Sequence, residues 1–249
     1  MARCSEKGCK NGATERRVIG TVGEATKTRP VCKDHLIGGV GKQDLGVVKD
    51  FYSGFRIIVA NGPPGVGKDT LISQCIESLN FNGRAFILSY KLTLYKAVAE
   101  RFGLDVDFVK QTNENRDTKE VPMECFGGVS VRQALINESE DELKVKYGVK
   151  GVARITIEDL LEVIKPEAHE PILLLNPDGG FNAELDFIKE RLGLTDKQIF
   201  VVRLLKLHCS FKGDSREFIR NPNLIVHNDQ SKQWLKDQTY KPIQDWLDN

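Results

Sequence analysis

The sequence lacks a long apolar run. None of its 249 residues belongs to a stretch that approaches the roughly 18 consecutive apolar residues of a membrane-spanning helix. The N-terminal residues Met1 to Lys7 also lack the apolar core of a signal peptide. From these two absences we expect a soluble cytoplasmic protein without a membrane partner, located in the host cytoplasm if the protein is viral.

The chain as a whole has almost no excess charge, because 36 Lys and Arg stand against 35 Asp and Glu. This balance excludes a uniformly basic protein. The charges are unevenly placed, however: residues 1–50 carry ten Lys and Arg against six Asp and Glu, whereas the remainder carries 26 against 29. A basic N-terminal segment suits contact with the phosphate backbone of DNA, and a purely structural segment is the alternative.

Cysteine is scarce, and three of the six cysteines lie in the first 35 residues. Cys4 and Cys9 have Cys-x4-Cys spacing, and after 22 residues Cys32 and His35 follow with Cys-x2-His spacing. Two such ligand pairs can close a tetrahedral Zn²⁺ site around a short β-hairpin such as residues 17–22. We predict a zinc-ribbon-like module with structural Zn²⁺, while a Cys4–Cys9 disulfide or free thiols are the alternatives.

Four glycines within residues 37–46 predict a linker, which divides the chain into the zinc-ribbon-like module (residues 1–50) and a larger domain (residues 51–249). Predicted strands cover residues 56–61, 84–89, 171–176, 198–204 and 223–227, and predicted helices cover residues 68–80, 91–102, 130–146, 156–165, 182–192 and 231–247. Strands that do not alternate in polarity and that are separated by helices predict an α/β fold, with a parallel sheet covered by helices on both faces.

The clearest motif is a glycine-rich loop between the apolar run 55–60 and the apolar residues that begin at Leu71. Its members are Gly62, Pro63, Pro64, Gly65, Val66, Gly67, Lys68, Asp69 and Thr70. Glycines allow successive backbone N–H groups to converge on phosphate oxygens, the helix N-terminus adds partial positive charge, and Lys68 reaches the β- and γ-phosphates. The pattern predicts a P-loop (Walker A motif) that binds ATP or GTP.

The P-loop departs from its commonest form at one position. The residue after the lysine is usually a Ser or Thr whose hydroxyl binds Mg²⁺, but here it is Asp69, and the hydroxyl follows at Thr70. Either Asp69 takes part of the role of binding Mg²⁺ or ordering water, or Thr70 contacts the α-phosphate and Mg²⁺ is held mainly elsewhere.

A second candidate site follows the apolar residues 172–175. Asp178 comes at the end of this predicted strand, so we expect its carboxylate at the same edge of the sheet as the P-loop. There it is a candidate for ordering Mg²⁺-bound water or accepting a proton from the phosphate acceptor. The alternative is an ordinary Pro-Asp-Gly turn.

These motifs together resemble the deoxynucleoside monophosphate kinases of bacteriophages. The resemblance spans about residues 56–236 and does not reach the zinc-ribbon-like module. It is carried by the segments 67–70, 116–120, 127–135 and 213–216 and by the Asp-x-x-Phe-x-x-Glu pattern of Asp178, Phe181 and Glu184. It implies a phosphotransferase with a nucleoside monophosphate kinase fold, ATP and Mg²⁺ as cofactors, and an acceptor bound over the sheet edge.

The resemblance also gives roles to two arginines, since cations supply most of the catalysis in phosphoryl transfer. Arg132 is expected to bind the acceptor phosphate, and Arg216 to close over the phosphates as a lid arginine. Each has a surface or ion-pairing role as its alternative.

Three functions remain open at this stage. The first is phosphorylation of a free deoxynucleoside monophosphate in viral nucleotide metabolism. The second is a DNA kinase that phosphorylates a hydroxymethylated base, such as 5-hydroxymethyluracil, within phage DNA; this DNA modification is favoured by the basic N-terminal segment. The third is a non-enzymatic, nucleotide-dependent DNA-binding module.

Overall fold

A computed structural model of the chain describes residues 15–22, 25–31, 54–164 and 171–249. The chain divides into two units, Met1–Ser53 and Gly54–Asn249.

The first unit contains an antiparallel pair of strands, β1 (Glu15–Val22) and β2 (Ala25–Val31). These strands lie between Cys9 and Cys32 in the sequence, where the hairpin of a zinc ribbon is expected. The four predicted zinc ligands Cys4, Cys9, Cys32 and His35 lie outside the described residues, so the zinc site stays a prediction.

The second unit is an α/β fold built on a parallel sheet. Its described strands are β3 (Phe55–Asn61), β4 (Arg84–Ile87), β5 (Pro122–Met123), β6 (Val129–Ser130), β7 (Ile172–Gly179), β8 (Ile199–Leu205) and β9 (Leu224–His227). Its described helices are α1 (Lys68–Ser78), α2 (Tyr90–Phe102), α3 (Val106–Glu114), α4 (Val131–Asn137), α5 (Lys144–Tyr147), α6 (Gly151–Ile164), α7 (Asn182–Leu192) and α8 (Lys232–Leu247). Five strands form the main sheet in the order β4-β7-β3-β8-β9, all parallel.

Both faces of this sheet are covered, which explains why its strands are continuous apolar runs. On one face Ile58 and Ala60 of β3 belong to a core cluster that also contains Leu71 of α1 and Leu235 of α8. The neighbouring residue Ile57 points to the opposite face because side chains alternate along a strand, and it is equally buried. The prediction of a parallel α/β sheet is confirmed.

The order of the strands creates a switch point at the carboxyl edge. From β3 the chain continues to β4 on one side of the sheet, whereas from β8 it continues to β9 on the other side. Ligands of open α/β sheets bind where neighbouring connections diverge in this way. The loop that follows β3 at this edge is the predicted P-loop.

The structure refines several predicted boundaries. The single helix predicted over residues 130–146 consists of α4, a π-helical segment (Glu138–Leu143) and α5. Strand β7 extends beyond the predicted residue 176 to Gly179, and α3 was not predicted at all. None of the helices in the described ranges combines the length and the apolar character that crossing a bilayer requires.

Candidate functional site

A cavity of about 970 Å³ opens at the carboxyl edge of the sheet. The P-loop, helices α2 and α4 and the π-helical segment line it. The short segment Gly213–Arg216 borders it as well. The P-loop and side chains from several other elements therefore face one common cavity.

The P-loop backbone depends on glycine at two points. Gly67 caps the N-terminus of α1 with a φ of 101°, and a Cβ there would lie 2.5 Å from the amide nitrogen of Asn228. That amide donates a hydrogen bond of 2.8 Å to the carbonyl of Val66. Gly62 has a φ of 152° and faces the carbonyl of Leu204. These contacts hold the loop open at the start of α1, where backbone N–H groups are free to bind phosphate.

Lys68 is the first residue of α1, and its ammonium group turns back over the loop. Its Nζ donates hydrogen bonds of 2.6 Å to the carbonyl of Gly62 and 2.9 Å to that of Pro63. Burial, together with the nearby charges of Arg216 and Lys91, lowers the pKa of Lys68 to about 8, whereas Asp178 and Asp69 act in the opposite direction. A buried cation with cationic neighbours is stabilised by a polyanion, and the triphosphate of a nucleotide supplies one.

Two carboxylates flank one lysine beside the P-loop. The Nζ of Lys91 lies 3.1 Å from Oδ1 of Asp178 and 3.3 Å from Oδ1 of Asp69. Asp178 is buried, and its Oδ2 accepts hydrogen bonds from the Ser89 hydroxyl (3.0 Å) and the backbone N–H of Lys91 (3.3 Å). Asp178 is thus held in place by three donor groups.

A local irregularity in β7 directs Asp178 toward the cavity. The pairing with β3 shifts between Val59, opposite Asn176, and Asn61, opposite Gly179. Pro177 lies at this irregularity, where a residue without an N–H group is tolerated inside a sheet. The backbone N–H of Asp178 donates to the Asn176 side chain at 2.7 Å. Because β7 runs to Gly179, the alternative of an ordinary Pro-Asp-Gly turn is wrong.

The oxygen-bearing side chains beside the P-loop are suited to a magnesium ion. The carboxylates of Asp69 and Asp178 and the Thr70 hydroxyl supply the oxygen atoms that Mg²⁺ prefers, and all three residues line the cavity. In the described part of the chain, no group of three or more His, Cys, Asp or Glu side chains is placed to hold a metal ion.

Arg216 reaches the cavity across the backbone of Gly180. Its guanidinium forms a double ion pair with Asp214, in which Nε donates to Oδ1 at 2.8 Å. A Cβ on Gly180 would lie 2.7 Å from both Cγ and Cδ of Arg216. The absence of a side chain at Gly180 is therefore what leaves room for the arginine.

We expect Gly180→Ala to lower kcat/KM about 10- to 100-fold by displacing Arg216 without removing its charge, since small misplacements of positioning groups have effects of this size. Steady-state kinetics of the phosphoryl transfer proposed below measure the effect. Gly180 does not have a positive φ, so alanine fits its backbone. In an Arg216→Ala background, Gly180→Ala should lower kcat/KM only slightly. An equal loss in both backgrounds would show that Gly180 does not act through Arg216.

Arg132 lies in the first turn of α4 and also lines the cavity. Its Nη1 lies 3.2 Å from Oε1 of Glu120, and its guanidinium is about half exposed. Lys119 lines the same region. The structure thus brings the four predicted catalytic residues, Lys68, Asp178, Arg132 and Arg216, to one cavity.

Three further side chains of the cavity were not among the predicted site residues: Tyr90, Lys91 and Glu184. The hydroxyl of Tyr90 is hydrogen-bonded to Asn176, and burial raises its pKa well above the ordinary value. Lys91 and Glu184 each lie in the first turn of a helix. Such a lysine is ordinarily explained by solvation and such a glutamate by the helix dipole, so their positions alone did not distinguish them, although Glu184 belongs to the Asp-x-x-Phe-x-x-Glu pattern.

No protein-family model matches the chain, and no curated protein sequence matches it significantly.

Proposed function

We propose that the chain is an ATP-dependent P-loop kinase that phosphorylates a deoxynucleoside monophosphate. The observation that supports this most is the single cavity that joins the P-loop and Lys68 to Asp178, Arg216 and Arg132. Its volume of about 970 Å³ lies near the upper end of the usual range for ligand sites, which suits a phosphate donor and an acceptor bound together.

The P-loop end holds the donor in this proposal. Backbone N–H groups at the start of α1 and the ammonium of Lys68 bind the β- and γ-phosphates, while Arg216 and Lys91 neutralise charge on the group being transferred. Mg²⁺ held beside Asp69, Thr70 and Asp178 supplies additional neutralisation of the phosphate oxygens when bound.

The opposite end holds the acceptor. Arg132, with Lys119 beside it, binds and orients the acceptor phosphate. An acceptor oxygen attacks the γ-phosphorus, a new P–O bond forms as the bond to the β–γ bridging oxygen breaks, and ADP leaves. Where the acceptor is a hydroxyl, Asp178 accepts its proton.

A second candidate function is phosphorylation of a hydroxymethylated base, such as 5-hydroxymethyluracil, within DNA. The observation that favours it is the positive excess of residues 1–50, ten basic against six acidic residues. A segment that neutralises DNA phosphates contributes to the binding of a polymeric acceptor but not to the binding of a free nucleotide. A nucleotide-dependent DNA-binding protein without kinase activity is the remaining alternative, and it would transfer no phosphate to either acceptor.

Removal of residues 1–50 separates these functions. Full-length and truncated proteins are incubated with labelled ATP and, separately, with free deoxynucleoside monophosphates and with DNA that contains 5-hydroxymethyluracil. A monophosphate kinase should keep its activity on free nucleotides after truncation. A DNA kinase should bind DNA more weakly and with a flatter salt dependence, since fewer phosphates are neutralised.

Metal analysis of the same full-length sample checks the module itself. We expect one Zn²⁺ per chain, held by Cys4, Cys9, Cys32 and His35, with chelation unfolding residues 1–36 and leaving the kinase domain folded.

In the truncation experiment, equal activity on DNA with and without the module would remove the main support for a polymeric acceptor.

A further inference from the structure

Glu184 is a buried residue in the wall of the cavity, and one oxygen of its carboxyl group has no hydrogen-bond partner among the described residues. The residue is 4% exposed and lies in the first turn of α7. Its Oε2 has no hydrogen-bond partner among the described residues, although the side chain lines the cavity. An unpaired buried carboxylate oxygen is costly and rare in folded proteins. Such a group in a cavity wall is explained if a ligand supplies the missing donor.

The donors nearest to Glu184 are engaged elsewhere. Lys144 acts on the carboxylate through its charge, but its ion pair is with Glu140, at 2.5 Å, and its Nζ lies 4.7 Å from the centre of the Phe181 ring. The Tyr90 hydroxyl is hydrogen-bonded to Asn176. These residues therefore leave the carboxyl of Glu184 available to a ligand in the cavity, and Arg216, which also acts on it through its charge, is paired with Asp214.

The surroundings of Glu184 suit an uncharged, flat ligand group rather than a phosphate. Around its carboxyl, the charges of Glu140 and Asp178 balance those of Lys144 and Arg216, so there is no excess of positive charge to attract a phosphate. Phe181 and the apolar side chains of Leu94 and Val152 line the same cavity. Glu140 belongs to the π-helical segment, and π-helical turns occur frequently at functional sites.

We propose that Glu184 recognises the nucleobase of the acceptor by accepting a hydrogen bond from a base N–H group at its carboxyl. This inference rests on the proposed function, because it gives the acceptor a base as well as a phosphate. Arg132 and Lys119 bind the phosphate, and Glu184 with the apolar wall binds the base.

The protonation of Glu184 adds a second, measurable property. Its pKa is raised to about 8, mainly by burial, with Asp178 and Glu140 acting in the same direction and Lys144 and Arg216 in the opposite one. Tyr90 is the other titratable group that interacts with it. Below about pH 8 the neutral carboxyl offers one donor and one acceptor, which matches a base edge with an N–H group beside a carbonyl. Above that pH the carboxylate only accepts, so binding of such a base should weaken.

The test measures binding of mononucleotides by calorimetry, with full-length wild type and three variants. The probes are the four common deoxynucleoside monophosphates and, for the one that binds most tightly, its analogue methylated on the base N–H. Glu184→Leu removes the carboxyl at similar size, and Glu184→Gln keeps a neutral donor and acceptor. Glu190→Gln, on an exposed position of the same helix, is the matched control. ATP affinity and thermal unfolding show whether each variant is folded.

In the wild type, methylation of the base should weaken binding about 10- to 100-fold, the usual consequence of losing a hydrogen bond to a buried group. Glu184→Leu should weaken binding of the unmodified nucleotide by a similar factor and abolish the discrimination. Glu184→Gln should still bind the nucleotide, but its affinity should not decrease between about pH 6.5 and about pH 8.5 as that of the wild type does. ATP affinity should be unchanged throughout, and Glu190→Gln should match the wild type.

Three results would overturn the inference: wild-type binding that does not depend on the base, equal affinity for the methylated analogue, or full affinity in Glu184→Leu. Phosphoryl transfer is measured on the same samples. Transfer that continues unchanged in Glu184→Leu contradicts base recognition and leaves the kinase proposal intact. Base-dependent binding without any transfer from ATP contradicts the kinase proposal and leaves base recognition intact.

Discussion

Replacement of Lys68 by alanine is expected to lower kcat about 10²-fold or more, equivalent to roughly 3 kcal/mol of transition-state stabilisation. The ammonium lies over the P-loop beside Gly62 and Pro63, where it would neutralise the β- and γ-phosphate oxygens as charge develops on them. In the free protein its hydrogen bonds go only to loop carbonyls, so the fold should survive its removal. Steady-state kinetics with labelled ATP measure the effect, and thermal unfolding monitors the fold.

An exposed lysine of α3, Lys110, provides the matched control, and Lys110→Ala should leave turnover unchanged. The pH dependence gives an independent check. Because the pKa of Lys68 is lowered to about 8, the side chain loses its charge as the pH rises through that value. ATP affinity of the wild type should therefore fall above about pH 8, and Lys68→Ala should lack this decrease. Normal turnover and ATP affinity in Lys68→Ala would disprove the assignment of the P-loop.

Local sequence patterns were sufficient to predict most of the second unit. Strands such as β3 and β8 are continuous apolar runs, and the glycine-rich loop after β3 has the recognisable spacing Gly-x-x-x-x-Gly-Lys. Helix α3 was missed because it is short and buries only Val109 and Thr112. Its start is stabilised by Asp105, whose side chain accepts from the N–H groups of residues 107 and 108. An aspartate before so short a segment does not distinguish a helix from a turn.

The glycine-rich loop could be placed between β3 and α1 from sequence because its pattern consists of adjacent residues. The partners of Asp178 could not, because they come from a different part of the chain. Ser89 and Lys91 lie at the start of α2, about ninety positions before Asp178 in sequence, and only the pairing of β4 with β7 brings them together. Lys91 alone resembles any solvated lysine.

Glu184 illustrates the same limit in a different way. Its position in the first turn of α7 is explained by the helix dipole alone. What marks it is burial without a hydrogen-bond partner for Oε2 among the described residues, which depends on tertiary packing. That property is invisible in the sequence.

Asp178→Asn is expected to lower kcat by about 10²-fold or more, the effect typical of losing a catalytic carboxylate. Asparagine preserves the size of the side chain but removes the negative charge. Lys91 then keeps only Asp69 as a carboxylate partner, and Mg²⁺ loses a ligand. We therefore expect the concentration of Mg²⁺ at half-maximal activity to rise in this variant, whereas ATP affinity measured without Mg²⁺ should change little.

Ser89→Ala provides a graded comparison, because it removes one donor to Asp178 and keeps the charge. Its loss of turnover should be about 10-fold or less, in line with a single hydrogen bond. Asp237→Asn, at an exposed position of α8, should have no effect and controls for the change of charge. If Asp178→Asn retains near-full activity at every Mg²⁺ concentration, the ion pair with Lys91 is structural, and the metal and the proton must be handled by other residues. A loss confined to low Mg²⁺ would assign Asp178 to the metal alone, whereas a loss that persists at saturating Mg²⁺ would place its carboxylate in the transfer step.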